Sequence, residues 1–121
     1  MRVPVLLILM TLTSASGAQT PGAAPGQSAP AGNVENGRKI FTSYGCYQCH
    51  NYAANGGAAG PRLAPGPLPF QAFVLLVRTP VDQMPPYTAK VVSDKELADI
   101  YAFLLTIPAP PAAGSIPILK P

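Results

Sequence analysis

Apolar positions recur with helical spacing in three stretches of the chain and alternate nowhere, so the pattern predicts an all-α protein with long loops. In the first stretch Gly37 and Phe41 stand four apart and share a face, as do Ile40 and Tyr44. Asn33 is placed to cap its start, Glu35 suits the positive end of the helix dipole, and Gly45 stops it after Tyr44. The second helix starts near Pro69, a good first-turn residue, and carries Phe70, Phe73, Val74 and Val77 until Pro80 ends it. The third has the clearest start, because Ser93 with Glu96 three residues on makes a capping box. Leu97, Ile100, Tyr101, Leu104 and Leu105 then form an apolar face that ends before Pro108.

Outside these helices the pattern changes character. Met1 and Arg2 form a positive head, Val3 to Leu12 is an apolar run too short to span a bilayer, and small residues follow up to Ala18. Residues 1–18 therefore read as a secretory signal peptide, which predicts an exported protein of the periplasm with no membrane span after processing. Residues 19–32 carry no charge and no large apolar side chain, and predict a flexible Pro/Gly/Ala-rich tether. Residues 108–121 form a proline-rich extended tail whose Ile116, Ile118 and Leu119 are apolar enough to dock, either on the protein's own surface or on a partner. The globular part is residues 33–107.

Composition narrows the chemistry. The 121 residues include 16 prolines, two cysteines, one histidine and no tryptophan. Two cysteines make no disulfide framework, and with one histidine they leave a structural zinc site short of its fourth ligand. Eight basic residues against five acidic, seven once Arg2 leaves with the signal, are too few and too scattered for a nucleic-acid footprint. A core this small needs a staple.

Directly after the first helix stands Cys46-Tyr47-Gln48-Cys49-His50, the spacing of a c-type haem attachment site. Two thiols three apart reach two vinyl groups of one porphyrin, and the next imidazole falls beneath the iron as axial ligand. Two other readings compete. A reversible redox disulfide expects a preceding strand, which the pattern lacks. Zinc would need a distant carboxylate, and no acidic residue lies between His50 and Arg78. Met84 follows as the second axial ligand, because there is no second histidine and Met1 and Met10 leave with the signal. The prolines of Val81-Asp82-Gln83-Met84-Pro85-Pro86-Tyr87 stiffen its loop, whereas the competing reading of a lone methionine is core filling.

Residues 33–107 resemble a class I c-type cytochrome: Gly37 and Phe41 on a first helix, the Cys46 to His50 motif, Gly60-Pro61-Arg62-Leu63, Met84-Pro85-Pro86-Tyr87, and the last helix from Leu97 to Ile107. The resemblance implies a small cytochrome c fold of three main helices with long loops wrapped around one covalently attached haem c. It also implies that the first and last helices cross with Gly37 and Phe41 against Tyr101 and Leu104. The Pro61 carbonyl would then accept a hydrogen bond from His50, which fits the need of an axial imidazole for a partner on its other N–H. With no tryptophan present, Arg62, Arg78 and Tyr87 are the candidate donors to the haem propionates, against the competing reading of merely solvated side chains.

A histidine and a methionine fill both axial positions of the iron, and the soft thioether favours its reduced form. The expected function is electron transfer rather than catalysis. The chain would act as a soluble carrier or as the cytochrome subunit of a dehydrogenase or oxidase complex, with redox proteins as partners. A nearly neutral surface points to docking through an apolar rim around an exposed haem edge. The rival expectation is a haem enzyme or gas sensor whose sixth iron position is open or displaceable.

Overall fold

Four α-helices form among the residues described by the computed structural model, 29–57 and 59–119, with two short 3-10 turns and no strand. The predicted signal peptide and residues 19–28 of the predicted tether lie outside the described residues. Helix α1 spans Val34–Ser43, and the Asn33 side chain accepts the Asn36 N–H at 2.8 Å to cap it. Helix α3 spans Phe70–Arg78, with Pro69 just outside its first turn as the N-cap, and closes at Thr79. Helix α4 spans Asp94–Leu105 behind the capping box of Ser93 and Glu96. To the three predicted helices the structure adds α2, Cys46–His50, which is the cysteine motif itself. Five residues are too short to display a periodicity; Gly45, at φ +80°, ends α1 and starts α2 in one turn.

The core forms where α1 crosses α4. A methyl group on Gly37 would overlap the Asp99 carbonyl of α4 and come within 2.9 Å of the Ile100 nitrogen, so only glycine lets the two backbones meet. Phe41 lies beside this crossing with its ring 5.6 Å from that of Phe103. The expected pairing of Gly37 with Tyr101 is thus corrected: Gly37 meets the Asp99 and Ile100 backbone, just before Tyr101 on α4. Tyr101 turns toward α3 instead, edge-on to Phe70 at 5.2 Å, and its hydroxyl donates to the Leu68 carbonyl at 2.9 Å. Leu104 is fully buried in the same core.

A buried carboxylate ties the crossing together. Asp99, 1% exposed, accepts the Asn33 N–H and the Asn36 amide, each at 2.7 Å, and the Lys95 ammonium at 3.2 Å. Burial alone would raise its carboxyl, but the donors of Asn33, Asn36 and Lys95 together outweigh that and hold it below the ordinary carboxylate range. Glu96 is lowered too, by the N–H and hydroxyl of Ser93. A folded pKa below the unfolded one means stability that is complete above the unfolded value of about 3.9 and lost as pH falls through the folded one. Asp99→Ala is expected to cost about 2 kcal/mol at pH 7, since it leaves the part-buried Asn33 N–H and Asn36 amide without their charged acceptor. Urea midpoints taken from pH 7 downward check the sign: the wild type should lose stability below about pH 4, and Asp99→Asn should lose less over that range.

The chain ends follow the core in different ways. Ala29 to Gly32, grouped by composition with the tether, lie against Tyr101, Ala102 and Leu105, because Gly32 passes directly over the Ala98 carbonyl. Beyond α4, Ala113–Ser115 and Pro117–Leu119 form the 3-10 turns within the otherwise extended tail, with Ile116 half-buried and Ile118 exposed. No helix among the described residues is long and apolar enough to cross a membrane.

Candidate haem site

One turn of α2 gathers the motif. Residues three and four apart on a helix share a face, so Cys46, Cys49 and His50 are presented together. Neither cysteine is in a disulfide; Cys46 is half-buried and Cys49 exposed, and burial pushes the Cys46 thiol up. His50 is buried, and its Nδ1 lies 2.8 Å from the Pro61 carbonyl oxygen. A carbonyl only accepts, so Nδ1 carries the hydrogen and Nε2 keeps its lone pair, the form an imidazole needs to ligate a metal.

The loop after α2 is folded to deliver that carbonyl. Asn51 and Ala54 adopt positive φ, and the Ala54 carbonyl accepts both the Leu63 N–H at 2.8 Å and the Ala64 N–H at 3.0 Å. Gly60 brings the returning strand of loop against the back of Cys49, where a Cβ would stand 2.9 Å from the Cys49 carbonyl oxygen. Pro61 follows at once and so faces His50. Arg62 beside it is exposed.

Met84 is half-buried in the loop between α3 and α4. Tyr87 leaves that loop and lies near the motif, its phenol pushed up by burial and by the neighbouring Cys46 and Cys49 thiols. The two remaining candidate propionate donors have partners of their own. The Tyr87 hydroxyl donates its single hydrogen to the Tyr44 carbonyl at 3.0 Å. Arg78 donates from Nη1 to the Tyr87 and Val92 carbonyls, both at 2.7 Å, and from Nη2 to Asp94 at 2.6 Å, leaving Nε and one Nη2 hydrogen. Local sequence gave no sign of these contacts, since carbonyl acceptors are identical at every position. The stacked rings of Tyr47 and Tyr52, 4.2 Å apart beside Cys49, were likewise invisible to periodicity.

The donor set suits a haem c. Paired thiols, an oriented imidazole and a thioether are its attachment and ligation chemistry. The segment between His50 and Met84 also leaves Tyr52, Leu68, Leu75, Leu76 and Val81 exposed, apolar surface of the kind a porphyrin body covers. No group of three or more His, Cys, Asp and Glu that could hold a metal ion occurs among the described residues.

Residues 32–104 match the model of a protein family described as cytochrome C oxidase, cbb3-type, subunit III. No curated protein matches the chain.

Proposed function

The chain belongs to the cbb3-type cytochrome c oxidase subunit III family, a group of class I c-type cytochromes that bind haem c covalently, and from that premise we propose a one-electron carrier of the periplasm with His50 and Met84 as its axial ligands. The observation that carries this reading is His50 itself: buried, held at Nδ1 by Pro61, and on one helical turn with both thiols. When bound, haem c supplies a one-electron iron couple.

The chain's own residues do the rest. Cys46 and Cys49 would hold the haem through two thioether bonds, their S–H groups adding across its two vinyl groups, which would consume both thiols and suit an exported protein. Pro61 holds the imidazole in one tautomer and raises its basicity. Met84, the only methionine among the described residues, offers a soft thioether that favours reduced iron. With His50 and Met84 both holding the iron, no place would be left for a diatomic or peroxide ligand, and a change of charge would need little rearrangement. A redox protein is the partner, either a freely encountered one or an oxidase or dehydrogenase complex of which this chain is the cytochrome subunit.

Absorption spectroscopy tests the reading. The oxidised protein matured with haem is expected to show the weak far-red band of methionine ligation, and the reduced protein to leave carbon monoxide unbound. Met84→Ala should lose the band, bind carbon monoxide and shift the potential downward. A wild-type protein with no band and ready carbon monoxide binding would instead be the sensor or enzyme of the rival reading.

A further inference from the structure

We propose that Arg78 and Tyr87 are positioning residues that hold Met84 for the iron, by closing the loop of residues 79–86 and bracing its far end against the turn before Cys46. This rests on the assignment of Met84 as ligand. The loop contains no regular structure, and among the described residues none of its positions from 80 to 86 takes part in a hydrogen bond. Its geometry is therefore set by its ends and its prolines.

Both ends are fastened by the same two residues. The Tyr87 N–H donates to the Val77 carbonyl of α3 at 3.0 Å, and the Tyr87 carbonyl accepts Arg78 Nη1 at 2.7 Å, so the backbone of one residue closes the loop through both its polar groups. Arg78 extends the clamp to the Val92 carbonyl and to Asp94, the first residue of α4. The Tyr87 hydroxyl then reaches the carbonyl of Tyr44, the C-cap of α1, two residues before Cys46. The methionine loop and the attachment motif, distant in sequence, are thus held at a set separation by one side chain. Rigid fork geometry explains the arginine, since a lysine ammonium cannot serve two carbonyls and a carboxylate with the same alignment.

Competition for the sixth position tests this in the oxidised holoprotein. Imidazole is titrated in, and loss of the far-red band reports displacement of Met84. Tyr87→Phe, which keeps the ring and both backbone bonds, and Arg78→Lys are each expected to raise the apparent imidazole affinity about tenfold, the worth of roughly one hydrogen bond. Asn36→Ala, which loses a bond of the same kind to Asp99, should leave the affinity unchanged. Wild-type affinity in both brace variants overturns the proposal, and so does an equal rise in Asn36→Ala, which would reduce the brace to ordinary stability. Absence of the band from the wild type would instead remove the Met84 assignment, and the brace with it.

Discussion

Gly37→Ala is expected to lose most of the folded population. The added methyl would occupy the space of the Asp99 carbonyl, and that obstacle is backbone, which cannot rotate aside as a side chain tip can. The helices must separate, which strips contact from Phe41 and Leu104, each at most 1% exposed, and pulls Asn33 and Asn36 away from Asp99. Overpacking that also breaks a buried polar network belongs among the exceptional substitutions, at about 4 kcal/mol or more. A small domain has only about 5–15 kcal/mol to lose. Urea denaturation of the holoprotein checks it, with Gly114→Ala as the control because a Cβ there meets nothing within 4 Å. Equal midpoints for the two variants would show that α1 and α4 do not cross at Gly37.

The second large effect concerns the cofactor. In Cys46→Ala combined with Cys49→Ala, haem is expected to leave the chain on denaturation, so that a haem stain of a denaturing gel reads blank where the wild type reads positive. Stability should fall as well. The described core is small, and Tyr52, Leu68, Leu75, Leu76 and Val81 remain exposed, so a bound porphyrin would supply apolar contact that the polypeptide lacks. Losing several kcal/mol in a domain of this size lowers the melting midpoint by about 20 °C. Haem that stayed with the double variant through denaturation would mean attachment elsewhere.

These two variants probe features of different legibility. The cysteine motif was plain in the sequence, because its chemistry is local: thiols three apart and a histidine next to the second read the same in any context. Capping was equally legible. Asn33, Gly45 and the Ser93–Glu96 pair act on backbone groups within a few residues, and each stands at the helix boundary it predicted. Asp99 was not legible. It sits in an otherwise apolar run between Ala98 and Ile100, and its acceptor role depends on Asn33 and Asn36, which reach it only through the crossing of α1 and α4. The separate partners of the α4 rings were also hidden, since Tyr101 and Phe103 are both buried and only packing assigns one to α3 and the other to Phe41. For Arg78 and Tyr87 the sequence suggested charge and hydrogen-bond donors near the cofactor, while their partners turned out to include backbone carbonyls from Tyr44 to Val92.

The helical class, three helix boundaries and the residues equipped to attach and ligate a haem all follow from the order of amino acids, because periodicity, capping and motif spacing are short-range properties of a chain. Three things waited on the folded molecule: the closeness of Gly37 to the α4 backbone, the burial of a carboxylate at position 99, and the bracing of the methionine loop through Tyr87. Each depends on which distant backbone surfaces are pressed together. That choice is made by packing summed over the whole core, and no window of neighbouring residues contains it.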